Sequence, residues 1–400
     1  MAILFISSLV PEEKEFYTPA FSRSGQNVLK GIADKMVAND ENLDLVTCLP
    51  VQSFPKGPLI IKRRKLKYEN GRNIICLPTL NLLFIKNIIW GISAFFYILK
   101  WAKIHQAEDR NILVYNIYLP IISTLYKAAR RTNSKIYAIL YDLGVPPKHL
   151  KLGMLKTLGY RYYERLAYKY IPLIDGRIVI NEKIINEYAP GKDYILVDGG
   201  VNNDLINRLF PLYPSRSNTV TYVLAGMLWE QNGTRLILEA LKLCPELDIK
   251  VIFAGKGNDV KVIDEAASVD KRVSYVGMLT PDELFEVYKT ADVLLNLRIE
   301  EDNDMHFPSK LLEYMSLGKC VLSTPIAHAE RDYGEYLDFL QDLTPQGLAD
   351  KMREISLRSK LDLFDRGQKM REFILRTRTW DVRTLEILEY IKQQGTNDLE

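Results

Sequence analysis

The sequence predicts two Rossmann-like, doubly wound α/β domains facing a cleft, and three observations predict them. Short β-branched apolar runs alternate with helix-length segments almost from end to end, which is how parallel sheets covered by helices on both faces read. The alternation breaks at 203–218, where Pro211 and Pro214 stand in a stretch of little periodicity. Four hundred residues, 47% of them apolar, suffice for two or three domains with a core each. The same composition excludes a disordered, collagen-like or fibrous chain.

The first element is a strand at 3–7. The run Met-Ala-Ile-Leu-Phe-Ile-Ser-Ser is too short, and lacks the preceding positive charge, to be a signal peptide. Further strands follow at 43–48, 73–77, 111–115, 135–141, 176–180 and 194–197, with helices at 24–39, 82–106, 119–132 and 150–170 between them. In the second half, strands at 220–224, 249–254, 273–276, 293–297 and 320–323 alternate with helices near 233–244, 258–267, 281–290 and 308–317. Amphipathic helices at 344–357 and 360–376 and a last one at 381–393 close the chain. Thr280, Pro281 and Glu283 give the helix at 281–290 a capping box with proline at its first position. The predicted divisions are a first domain at 1–202, a linker at 203–218, a second domain at 219–376, and a terminal helix at 377–400 that packs back on the first domain.

The net charge of +3 hides an asymmetry. Residues 1–200 carry 28 Lys and Arg against 17 Asp and Glu, while 201–400 carry 25 against 33. A basic half points to an anionic partner, such as a membrane surface met through 51–170, or to a solvated basic face. A membrane-spanning helix needs about 20 apolar residues, and the uncharged stretch 88–99 falls short. Its aromatic residues and its lysines at 86, 100 and 103 suit both a headgroup boundary and a core. The basic aromatic helix at 148–170 suits anionic lipid equally. No recognised nucleic-acid-binding motif is present. Cys48, Cys76, Cys244 and Cys320 stand far apart without a C-x-x-C pair, so neither a disulfide framework nor a thiolate zinc site has its parts.

In open parallel sheets ligands bind outside the carboxyl ends of strands, so the loops after the strands of the second domain are where chemistry is expected. Gly226 follows the first of these strands. Gly255, Lys256 and Gly257 follow the next, and Arg298 follows the strand at 293–297, ahead of the acidic stretch 300–304. Pro308 then suits the first position of a helix, whose open amides at Ser309, Lys310 and Leu311 favour phosphate. Lys310 adds a point charge. Glu313, three residues on, shares its helix side and suits a pair of sugar hydroxyls, although the same spacing suits a surface ion pair with Lys310. Gly318 ends the helix.

Phe-Pro-Ser-Lys-Leu-Leu-Glu-Tyr-Met-Ser-Leu-Gly-Lys-Cys-Val-Leu-Ser-Thr at 307–324 resembles the signature of retaining glycosyltransferases of family 4 and their relatives, in the sub-group carrying F-P-S-K-x-x-E-Y. The resemblance is strong over 190–330 and loose over 1–190. It implies the B-type glycosyltransferase fold, two Rossmann-like domains facing each other, with a nucleotide-sugar donor on the second and the acceptor on the first. It further implies that Glu313 binds the donor ribose, that Ser309, Lys310 and Leu311 meet the diphosphate, that Val276 and Gly277 contact the base, and that Lys256 lies near phosphates or base. The family's Arg and Lys after the first strand of this domain are replaced here by Met227 and Asn232, and a second Glu by Met305. Arg298 or Arg235 can restore the charge, and Asp302 or Asp304 the carboxylate.

Asp142, after the strand at 135–141, is the candidate base for the acceptor hydroxyl, or else a turn aspartate before Gly144-Val-Pro-Pro. Gly25, with Ser24 and Asn27, lies where backbone can approach donor phosphate or acceptor. No Asp-x-Asp pair stands at a strand end to hold a metal, and no cofactor is implied beyond a UDP- or GDP-linked sugar as co-substrate. The expectation is a retaining, metal-independent hexosyltransferase, cytoplasmic or peripheral on the inner membrane face, extending a lipid-linked or polysaccharide acceptor. A non-catalytic nucleotide-sugar-binding homologue and a sugar-nucleotide epimerase are the alternatives.

Overall fold

The computed structural model describes residues 1–11, 22–39, 42–68, 71–83, 85–116, 121–141, 143, 153–202, 213–214, 217–299 and 307–396. They divide into two compact units, Met1–Gly200 with Trp380–Glu400, and Val201–Thr379. Of the predicted linker, 203–212 and 215–216 lie outside the described residues, as do residues 300–306, which include the acidic stretch 300–304 with Asp302 and Asp304, and Met305.

The first unit is built on β1 (Ala2–Ser7), β2 (Leu43–Thr47), β3 (Ile60–Ile61), β4 (Arg64–Lys67), β5 (Asn73–Cys76), β6 (Thr79–Leu80), β7 (Arg110–Tyr115), β8 (Lys135–Leu140), β9 (Gly176–Val179) and β10 (Ile195–Leu196). Eight of these form one sheet in the order β10-β9-β8-β7-β1-β2-β5-β4. β1 is buried along its whole length, as an apolar strand covered on both faces must be. The sheet is not wholly parallel as expected: β4 runs antiparallel to β5, and β3 and β6 form a separate antiparallel ribbon. The sequence Arg-Lys-Leu-Lys of β4 alternates, exposing its cations and burying Leu66, which is the pattern of an edge strand and too polar to read as a core one. The helices are α1 (Arg23–Asn39), α2 (Ile85–Ile104), α3 (Ile121–Arg131), α4 (Met154–Tyr170) and α5 (Lys183–Tyr188).

The second unit carries β11 (Val220–Met227), β12 (Ile249–Lys256), β13 (Val273–Tyr275), β14 (Val293–Asn296), β15 (Cys320–Ser323) and β16 (Asp338–Phe339) in the order β13-β12-β11-β14-β15-β16, all parallel. Its helices are α6 (Thr234–Leu243), α7 (Val260–Val269), α8 (Pro281–Thr290), α9 (Ser309–Ser316), α10 (Ala329–Tyr333), α11 (Pro345–Ser356) and α12 (Lys360–Thr377). Tyr222, Val251, Phe253, Ile263 and Leu295 lie in the core. The strand order reverses between β11 and β14, so a crevice opens at their carboxyl ends.

The last helix, α13 (Trp380–Thr396), belongs to the first unit. The Tyr390 ring meets that of Tyr137 at 6.4 Å, and Lys35 pairs with Asp381 at 2.8 Å.

Candidate functional site

The switch point of the second unit holds a cavity of about 430 Å³. β11 delivers Ala225, Gly226 and Met227 to it, β12 delivers Gly255 and Lys256, β14 and the following residues deliver Asn296, Leu297 and Arg298, and α9 delivers Lys310. Lys256, Arg298 and Lys310 are cations, and among the described residues the lining includes no acidic one. A concave, largely apolar pocket with a few convergent charges is suited to an anionic small molecule.

Lys310 is held from below. Its ammonium donates to the Ala225 carbonyl at the end of β11 and lies 5.6 Å from the Tyr314 ring centroid. The Tyr314 hydroxyl, one turn further along α9, meets the amide and carbonyl of the same Ala225 at 3.3 and 3.4 Å. α9 is thereby pinned to β11. Gly226 (φ 119°) makes this approach possible, because a Cβ there would collide with the Lys310 ammonium. Burial lowers the Lys310 pKa, opposed by Glu313 and reinforced by Arg298.

The start of α9 differs from expectation by one residue. Pro308 is the N-cap (φ −74°, ψ 111°), and Ser309 is the first helical residue. The Leu311 amide, expected to face a ligand, instead donates to the Pro308 carbonyl at 2.9 Å, and its side chain is buried. Open donors at this terminus therefore come from Ser309 and Lys310, whose amides have no partner among the described residues. Glu313 is half-buried and does not line the cavity. Burial raises its pKa, with Lys310 pulling the other way.

Of the two arginines that can replace the missing charge, Arg298 lines the cavity and donates to Asn232 Oδ1 at 2.7 Å. Arg235 is turned to Asp259 at 3.0 Å and Glu230 at 3.7 Å, which corrects that alternative. Val276 and Gly277 do not line the cavity. The Gly277 carbonyl accepts the Gly255 amide at 2.7 Å, and Met278, Leu279 and Leu284 form the wall in their place. Trp229, Gln231 and Asn296 also line it without having been singled out; a loop counted outward from the strand end would have reached the first two, whereas Asn296 is the last residue of β14 itself. Gly25 is not in a loop but is the third residue of α1 in the first unit, where its amide donates to Ser22 Oγ at 3.2 Å. Asp142 lies outside the described residues.

Residues 219–356 match a family model described as "Glycosyl transferases group 1". A comparison with curated proteins found no match. Among solved structures, sucrose-phosphate synthase from Thermosynechococcus elongatus is similar with a TM-score of 0.65 at 14% identity, over 99% of this chain and 100% of that one. A glycosyltransferase from Rickettsia africae ESF-5 has a TM-score of 0.63 at 12% identity, over 99% of each chain. HepE of Anabaena in complex with UDP has a TM-score of 0.60 at 14% identity, over 98% of this chain and 100% of that one. The chain therefore has the two-domain fold of the B-type glycosyltransferases, with a group 1 glycosyl transferase match over most of its second unit.

Proposed function

We propose that the protein is a retaining glycosyltransferase that moves a hexosyl group from a nucleoside diphosphate sugar to a hydroxyl of a lipid-linked or polysaccharide acceptor. The observation that carries this reading is the convergence of Lys256, Arg298 and Lys310 on one cavity at the switch point, beside the open amides of Ser309 and Lys310. In the proposed reaction the bond between the anomeric carbon and the diphosphate oxygen breaks, and its electron pair leaves with the phosphate. The acceptor oxygen bonds to the same face of the sugar, and its proton passes to a base, for which Asp142 stays the candidate. Negative charge grows on the leaving diphosphate, so cations and amides placed there favour the transition state over the ground state.

Glu313, one turn into α9, is assigned to the donor ribose. Lys310 and Arg298 supply the charge that a metal supplies elsewhere, so turnover is expected to persist in a chelator. Fold likeness alone does not give a substrate; the support here is the cationic cavity in this chain together with the family match.

The test is calorimetry with UDP, GDP and ADP, followed by incubation with the labelled sugar of whichever binds. Binding and slow hydrolysis of the donor, with Lys310→Met slowing turnover by about tenfold to a hundredfold, is the expected result. Binding with no turnover of any donor would leave a nucleotide-sugar-binding module, and interconversion of donors without acceptor an epimerase.

A further inference from the structure

The first unit carries an unusual helix. α2 buries Trp90, Ala94, Ile98 and Trp101 on its inner face, yet its outer face is apolar as well. Ile85, Ile88, Ile92 and Phe96 follow one another at helical spacing and are 41%, 55%, 48% and 65% exposed. Ile60 of the β3–β6 ribbon and Leu83, at the start of the helix, are exposed too. A helix apolar all round is ordinarily enclosed, and an exposed apolar row of this length marks an interaction surface.

One turn beyond Phe96 the row ends at Lys100, and Lys100 opens a second cavity. This cavity, of about 510 Å³, lies between the C-terminal half of α2, β4 and the amino ends of β2 and β5. It is therefore at the end of the sheet opposite to where group-transfer ligands bind. Arg63, Lys65, Arg72 and Lys100 line it, and Arg63 sits 5.7 Å from the Tyr97 ring centroid. Among the described residues its one carboxylate, Asp44, accepts from Trp101 Nε1 at 2.9 Å and faces His105 Nε2 at 3.3 Å. Residues 45–107 hold ten Lys and Arg against one acid, Glu69.

We propose that the outer face of α2 docks on an anionic lipid bilayer, with Ile88, Ile92 and Phe96 entering the headgroup boundary and the cavity of Arg63, Lys65 and Lys100 receiving lipid phosphate. Charge complementarity selects this occupant. A second copy of the chain would bring two strongly positive rims together, which costs energy; an anionic surface attracts them. No described helix is long and apolar enough to cross a membrane, so α2 lies on the surface. This docking does not depend on the proposed sugar transfer.

The experiment is sedimentation of the full chain with vesicles of phosphatidylcholine alone or mixed with phosphatidylglycerol, at low and high salt. Salt-sensitive binding to the mixed vesicles alone is expected. An Arg63→Gln, Lys65→Gln, Lys100→Gln variant should lower partitioning by about a hundredfold, at about fivefold per cation. An Ile88→Ser, Ile92→Ser, Phe96→Ser variant should lose binding while keeping the parent's melting curve; single Phe96→Ser serves if the triple does not fold. No binding to anionic vesicles, equal binding to neutral ones, unchanged binding by the serine variants, or a dimer that Phe96→Ser dissociates would each overturn the proposal.

Discussion

Arg298 Nη1 and Asn232 Oδ1 lie 2.7 Å apart, and Asn232 Nδ2 in turn donates to the Met227 carbonyl at 2.6 Å. The two positions where the resemblance implies cations thus hold an amide and a methionine that brace an arginine arriving from the neighbouring strand β14. The guanidinium is oriented at the cavity wall. Arg298→Met is expected to weaken nucleoside diphosphate binding by about tenfold to a hundredfold, the worth of one charge-assisted hydrogen bond. Arg235→Met, which removes a side chain committed to Asp259, should leave affinity nearly unchanged. Calorimetry with the same nucleotide on both variants checks the assignment, and equal losses would reject it.

Much of this arrangement was legible in the chain. Continuous Val, Ile and Leu runs mark β11, β12, β14 and β15 because strands covered on both faces have no polar side, and Thr280 with Glu283 marks α8 because its cap is made by local side chains. That box is present, with Glu283 Oε2 accepting from the Thr280 amide at 2.8 Å. What was not legible depends on geometry beyond a few residues. The choice between Arg298 and Arg235 rests on the partner each meets, an amide oxygen for Arg298 and a carboxylate for Arg235, and Asp259 is 24 residues from Arg235. The edge strand β4 escaped because three of its four residues are cations, and its partner β5 supplies the order that its own composition does not. The Leu311 amide was lost to the i−3 bond that tightens the first turn onto the Pro308 carbonyl, a detail that spacing alone does not resolve.

The pH profile of kcat/KM should be narrowed from both sides. In the proposed reaction Glu313 works only when ionised, and burial raises its pKa above the ordinary 4.5, so its contribution is lost as pH falls through a value higher than that of a free carboxyl. Lys310 in the same proposal works only when protonated, and burial lowers its pKa below 10.5, so its contribution is lost as pH rises through a value lower than that of a free ammonium. Because kcat/KM reports the free enzyme, initial rates across pH should give an acid limb above 4.5 and an alkaline limb below 10.5. Glu313→Gln should abolish the first and Lys310→Met the second, in whatever activity remains.

Arg383 of α13 ties the end of the chain to the sheet of the first unit. Its Nη2 donates to Asp198 Oδ1 and to the Leu196 carbonyl, both at 2.9 Å, and both charged side chains are buried. Removing one partner of a buried ion pair strands the other. Arg383→Met should therefore destabilise the first unit by about 3–5 kcal/mol, read as a lower denaturant midpoint. Adding Asp198→Asn should recover part of the loss, and additive losses in the double variant would refute the coupling.

Lys319 presents the opposite case, a buried cation held at a cost. It lies between α9 and β15, donates to the Lys289 carbonyl at 2.8 Å, and is almost wholly buried. Burial brings its pKa from 10.5 to about 8, with Asp292 opposing and Lys360 adding to the shift. The folded state binds this proton more weakly than the unfolded chain does. Below about pH 8 the ammonium is charged in both states and folding bears the full penalty, about 3 kcal/mol at 1.36 kcal/mol per pKa unit. Between about 8 and 10.5 the folded protein has released a proton that the unfolded chain still holds, so stability rises with pH. Denaturant melts of the parent against Lys319→Met should show a difference that favours the variant at pH 7 and shrinks toward pH 10. A difference that stays constant over that range would mean that Lys319 keeps its ordinary affinity for the proton.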